Sequence, residues 1–203
     1  MNHTARPTFA PSLATQLHWT AQCVLAVEQG RSLSDMLPQV PSSLRPGVQA
    51  LSFAVLRQLG AARVLGRWLV QRAPAPAVSA LLHSALALLL GDPDGQRYAA
   101  HTLVDQAVEA AKGGRATRMQ AGFLNACLRR FLREREQLCA RLGDDPVAHW
   151  NHPQWWIERL QHDHPTHWQA ILGANQQPGP MALRVNRRHA SRDDYRQRLL
   201  DVG

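Results

Sequence analysis

The densest chemistry in this sequence belongs to its arginines. Residues 112–135 hold seven basic side chains, Lys112, Arg115, Arg118, Arg129, Arg130, Arg133 and Arg135, against one acid, Glu134. A guanidinium offers its donors in a planar fork that matches two phosphate oxygens at once. Asn125, Arg129 and Arg133 stand four apart, so on a helix they share one edge. At about 100° per residue, Phe123, Leu124, Cys127, Leu128, Phe131 and Leu138 fall on one broad side. Arg129, Arg130 and Arg133 fall opposite. The spacing predicts one long helix running to about Arg141. A helix with an apolar wall and an arginine wall can dock into a bundle and present cations outward. Arg115, Arg118, Arg129, Arg130 and Arg133 are therefore the candidate nucleic-acid phosphate contacts. A merely solubilising surface would use the same residue types. Asn125, inside the helix, is read as a hydrogen-bonding residue of the fold rather than an RNA contact.

Two other residue sets invite chemistry. The cysteines Cys23, Cys127 and Cys139 form no CxxC, and Cys23 and Cys127 sit among apolar helical residues. They read as buried reduced thiols of a cytoplasmic protein. Farther on come His149, Trp150, His152, Trp155, Trp156, His162, His164, His167 and Trp168. A metal set is disfavoured, because Pro153 interrupts the His149–His152 spacing and no Cys or acid completes a ligand group. The first reading is that the tryptophans pack two short helices, 154–163 and 166–174, against each other. A base-stacking platform is the alternative.

These residues need a scaffold. The chain has 203 residues, 45% of them hydrophobic, which is enough for a sizeable core. Its formal net charge of +8 suggests a polyanionic partner, nucleic acid before membrane. Of its 23 basic residues only Lys112 is a lysine, a bias that a GC-rich genome would also produce. No apolar h-region follows the N-terminus, so no secretion signal is expected. The greasy run 81–90 is too short to span a bilayer and reads as a central bundle helix.

In chain order, residues 1–11 read as an arm and Ser12 as the N-cap of a helix to Glu28, stopped by Gly30. Residues 32–37 form a short helix. Pro46 opens the next, with a break at Gly60 and a continuation through Leu69. Pro74 and Pro76 introduce the central helix, and residues 91–95 are a turn signal. A helix over 98–111 leads through Gly113-Gly114 into the basic segment. Residues 143–146 read as a linker. Residues 181–185 alternate and give the one strand candidate. Asn186 to His189 is a turn, and Ser191 with Asp194 starts a last helix in capping-box fashion. A lone strand with one helix cannot satisfy its ladder, so the chain is expected to stop inside a structural unit.

Gly122-Phe-Leu-Asn125-Ala-Cys-Leu-Arg129-Arg130-Phe resembles the last-helix signature of the NusB-like fold, and residues 17–37 look like that module's opening. His152-Pro-Gln-Trp155, Asn175-Gln-Gln-Pro178 and Met181-Ala-Leu-Arg184-Val-Asn186 are similar to the segment that follows it in the bacterial small-subunit rRNA cytosine-C5 methyltransferases of the RsmB (Sun/Fmu) type. The resemblance covers nearly the whole chain and places it in the N-terminal portion of that family. It implies a mainly α fold: a NusB-like RNA-binding bundle over 1–142, then linker helices and the beginning of an incomplete α/β, RRM-like subdomain over 143–203.

The resemblance also implies an S-adenosylmethionine domain with a Gly-rich loop and two cysteines, one after Pro and one after Thr. Here Cys23 follows Gln22, Cys127 follows Ala126 and Cys139 follows Leu138, and no Gly-x-Gly-x-x-Gly occurs. The expectation is a truncated or excised piece with no catalytic residue, cofactor or metal of its own, docking rRNA for a catalytic domain supplied from outside this stretch. In that frame Arg184 and Asn186 link strand to loop. A competing function is a NusB-type antitermination module that joins RNA and protein in transcription regulation. The appended 149–203 segment argues against it. A third reading makes the bundle a passive scaffold for the catalytic half.

Overall fold

The computed structural model describes residues 11–91, 98–177, 179 and 182–202. Among them the chain is mainly α, with twelve α-helices and no strand. All of the predicted arm at 1–11 except Pro11, and most of the turn at 91–95, lie outside the described residues. No helix among the described residues is long and apolar enough to cross a membrane.

α1 (Leu13–Glu28) starts where Ser12 Oγ accepts the Thr15 amide at 3.2 Å, and it ends before Gly30, whose φ of +84° suits glycine. α2 (Leu33–Met36) runs into a 3-10 turn that includes Pro38. α3 (Arg45–Arg57) carries Pro46 in its first turn. α4 (Leu59–Leu69) follows after one residue. α5 (Pro76–Leu90) buries Leu81, Leu82, Leu86 and Leu89 and touches α1, α3, α4, α6 (Ala100–Gly113) and α7 (Ala121–Arg133). It is the centre of the bundle, as expected of a helix apolar all round. α8 (Arg135–Leu142) and α9 (Pro146–Trp150) close the bundle against α4. A smaller core of Cys23, Ala26, Met36, Val40 and Val48 fills the space between α1 and the α2–α3 region.

Two of the remaining helices form a separate cluster. α10 (Gln154–Asp163) and α11 (Trp168–Asn175) bury Ile157, Leu160 and Leu172 between them, with Trp150, Trp156 and Trp168 packed around. This is the packing role expected of the tryptophans, except that Trp155 stays 66% exposed. His152 directs one ring nitrogen to the Trp150 carbonyl and the other to Asn175 Nδ2 at 3.5 Å, tying the start of α10 to the end of α11. α12 (Arg192–Val202) begins with a Ser191 cap resembling a capping box, Ser191 Oγ accepting the Asp194 amide at 3.1 Å and donating to Asp194 Oδ2 at 2.7 Å in place of a bond from the Ser191 amide.

Four expectations need correction. The basic helix does not run straight to Arg141. It breaks at Glu134, because residues 133–137 are all polar and offer the core no side chain to hold a continuous ladder. Leu138 and Leu142 then return to the core from α8. The α3–α4 break lies at Gln58, not Gly60. Gly60 serves close packing instead: a Cβ there would lie 2.6 Å from the Val147 carbonyl oxygen and 2.8 Å from Asn151 Cα. Asn151, at a left-handed φ of 53°, accepts the Ala61 amide at 2.9 Å and donates to Gln58 Oε1 at 3.2 Å, so it caps α4 from ninety residues away. The strand expected at 181–185 is absent at 182–185, and Met181 lies outside the described residues. A strand needs a ladder partner, and the described residues supply none. The helix expected from residue 166 begins at Trp168, after a turn.

Candidate nucleic-acid interface

The basic segment is held by a small buried staple. Thr117, in the loop after α6, donates its hydroxyl to the Ala111 carbonyl at 2.7 Å and is almost fully buried. That bond satisfies a carbonyl at the end of α6 and turns the chain outward on either side. Arg115 and Arg118 flank it and are exposed. A 3-10 turn, Arg118–Gln120, then leads into α7.

α7 is the amphipathic helix the spacing predicts. Leu124, Cys127, Leu128 and Phe131 are buried, while Arg129, Arg130 and Arg133 are exposed. Arg129 donates from Nε to Asn125 Oδ1 at 3.0 Å, which leaves its two terminal nitrogens without partners among the described residues. This is the hydrogen-bonding part expected of Asn125, although it bridges one turn of its own helix and not a loop. Arg115, Arg118 and Arg133 make no ion pair among the described residues.

Arg130 differs. Its Nε pairs with Glu134 at 3.0 Å and its Nη1 donates to the Leu69 carbonyl at 3.3 Å, closing the C-terminus of α4. By sequence alone, any of the five candidates could have been a clamp or a contact. Only the fold shows which cation is spent on α4.

The five candidates do not converge on a point. They line the outward side of one turn and one helix, from Arg115 at its start to Arg133 at its end, over about 20 Å of helix axis. Such a row suits a linear polyanion, where successive phosphates meet successive cations.

Phe123 is a further correction. It leaves the apolar wall and is 37% exposed. On the helix it lies seven residues before Arg130, on the same flank, facing the α4–α5 connection. There a pocket of about 350 Å³ is lined by Arg72, Ala73, Pro74, Ala75, Gln120 and Phe123. Arg72 was legible only as one of several cations around α4. No sequence signal brings it to Gln120 and Phe123.

Two of the three thiols, Cys23 and Cys127, are unsuited to nucleophilic work. Burial pushes the Cys23 and Cys127 thiols up from the ordinary value, and in Cys127 the nearby Arg130 charge only partly opposes it. A nucleophilic cysteine needs the opposite shift. Among the described residues no group of His, Cys, Asp and Glu is arranged to hold a metal ion.

Comparison with known proteins bears on what this arrangement serves. Residues 152–203 match the family model described as Methyltr_RsmF/B-like, ferredoxin-like domain. The chain is 35% identical over 181 residues to "Ribosomal RNA small subunit methyltransferase B" of Citrobacter koseri, covering 87% of this chain and 42% of that protein. It is 32% identical over 181 residues to the protein of that name from Vibrio cholerae, covering 87% and 41%. It is 35% identical over 190 residues to that of Pasteurella multocida, covering 90% and 41%. The chain thus spans about two fifths of the length of the curated relatives it matches. The match runs through both the bundle and the helices after it, and so the chain is similar over most of its length to part of proteins named ribosomal RNA small subunit methyltransferase B.

Proposed function

We propose that this chain is the RNA-docking N-terminal portion of an S-adenosylmethionine-dependent rRNA (cytosine-C5) methyltransferase. On this reading a NusB-like bundle holds small-subunit rRNA in the cytoplasm by its phosphates, and a domain outside this chain performs the methylation. The observation that carries it is the exposed row Arg115, Arg118, Arg129 and Arg133, free of ion pairs among the described residues, in a relative of proteins named as rRNA methyltransferases.

The chain's own residues do not fit S-adenosylmethionine. The sequence has no Gly-x-Gly-x-x-Gly, and the described residues form no parallel sheet whose strand ends would seat such a cofactor. No chemical step is therefore assigned to this chain. Its work is electrostatic: guanidinium groups displace counterions from the RNA backbone and fix its register.

The test is RNA binding by the whole chain over a salt series. The affinity of wild type should fall steeply with salt. The triple variant Arg115→Ala, Arg129→Ala, Arg133→Ala should lose about tenfold or more and show a shallower slope. Unchanged affinity and slope would leave the bundle as a passive scaffold. Methyl transfer from S-adenosylmethionine by this chain alone would overturn the reading outright. The antitermination alternative has less behind it, because the ferredoxin-like match over 152–203 is to methyltransferases.

A further inference from the structure

Phosphate contacts hold any nucleic acid. The pocket beside them points to something narrower. Its wall is aromatic on one side, Phe123, and its rim is a proline and a cation, Pro74 and Arg72. Phe123 is 37% exposed on a helix whose other large apolar side chains are packed away, so burial of its ring by the fold is incomplete. Gln120 contributes an amide oxygen that is buried yet accepts no hydrogen bond from the described residues. A buried amide without a partner is costly. Gln120 also lines the pocket, so a side chain that turned outward to meet a base edge would relieve that cost, whichever way the amide is flipped.

An aromatic face, an unmatched amide and a flanking guanidinium are the parts that take a nucleobase: the ring stacks, the amide meets the base edge, and the cation meets the adjoining phosphate. The pocket volume of about 350 Å³ admits a single base, and stacking on Phe123 needs a base face that a duplex keeps covered. Its position is consistent with this. Gln120 ends the turn that begins at Arg118, and Phe123 is in the first turn of α7, so the pocket opens between Arg118 and the α7 arginines.

Building on the RNA-docking reading, we infer that the Arg72–Phe123–Gln120 pocket binds one unpaired base of single-stranded RNA, so that the bundle selects unpaired over duplex RNA. Arg72 pairs with the phosphate next to that base, and the α7 arginines track the strand beyond it.

The test uses the full chain and fluorescein-labelled RNAs of about ten nucleotides, one single-stranded and one a duplex, read by fluorescence anisotropy over a salt series. Phe123→Ala should weaken the single strand roughly tenfold and leave duplex affinity and the salt slope unchanged. Phe123→Leu keeps the apolar volume, removes the stacking face and should lose nearly as much, whereas Phe123→Trp should restore binding. Arg72→Ala should weaken both RNAs and flatten the slope. Thermal melts of each variant separate loss of fold from loss of contact, and Phe123→Leu carries the test if Phe123→Ala melts early. Equal losses on both RNAs, or no loss with Phe123→Leu, would overturn the pocket assignment. If Arg129→Ala with Arg133→Ala weakens RNA while the Phe123 variants do not, the pocket alone falls. If wild type binds neither RNA, the docking reading falls with it.

Discussion

α5 and α12 are helices of comparable length with opposite environments. α5 buries nine of its fifteen residues against helices on several sides. α12 buries none of its eleven, and Leu199, Leu200 and Val202 face outward. Both begin at sequence signals that could be read in advance, Pro76 for one and Ser191 with Asp194 for the other. Those signals specify where a helix starts. They do not decide whether it is anchored. A helix of this size is marginal by itself in water, so α5 draws its stability from packing. α12 has its Ser191 cap and a hydrogen bond from Gln197 to Asp201. The stability of the described chain therefore resides in the bundle.

The widest gap between the two regions should appear with Leu86→Ala, at a fully buried position of α5. It should cost about 3–4 kcal/mol in chemical denaturation, against less than about 0.5 kcal/mol for Leu200→Ala in α12. Equal costs would show that α12 is packed in solution after all. Native-state hydrogen exchange sharpens the same contrast: amides of α5 should open only with global unfolding, while those of α12 exchange by local opening.

Next in size is Gly60→Ala. A Cβ there meets the backbone of Val147 and Asn151, which cannot rotate away as a side chain would. The expected loss is about 2 kcal/mol, seen as a lowered melting temperature. A neutral result would mean that α9 is free to move off α4.

Within α7 the comparison is between neighbouring arginines. Arg130→Ala removes a donor to the Leu69 carbonyl and an exposed pair with Glu134, and should cost about 1 kcal/mol with a modest effect on RNA. Arg129→Ala should be neutral for stability within about 0.5 kcal/mol yet weaken RNA binding. The reverse pattern would reassign the two side chains.

The smallest effect concerns the thiols. Cys127 and Cys23 are buried with raised pKa, so Cys139, which is only partly covered, should react first with an alkylating reagent. The sign of the linked stability follows. In the unfolded chain these thiols lose their protons at lower pH than in the folded chain. Stability from them is therefore full below the unfolded thiol value and declines as pH rises above it. A denaturation series on the alkaline side should show that decline, and Cys127→Ala should reduce it.

Much of the candidate interface was legible because helical period is a local property. The four-residue spacing of Asn125, Arg129 and Arg133 held, and so did the apolar wall of Leu124, Cys127, Leu128 and Phe131. The Phe123 and Arg72 contributions were not legible. They depend on the α4–α5 connection passing beside the start of α7, and nothing within either segment announces the other. Arg130 was misjudged as equivalent to Arg129 for the same reason: its partner Leu69 lies sixty-one residues away.

The sequence alone determined the helical class, the central place of the apolar α5 segment, the caps at Ser12 and Ser191, and the concentration of positive charge between residues 112 and 135. These follow from side-chain period, local hydrogen bonding and counted charge, which need no distant partner. Tertiary structure decided the rest: that Gly60 makes room for α9 and does not end a helix, that the basic helix bends at Glu134, and that residues 182–186 stay out of any sheet. It also decided which cations remain free for a ligand. The Gly60 packing and the Arg130 clamp rest on contacts between segments far apart in the chain, and such contacts exist only once the bundle has closed.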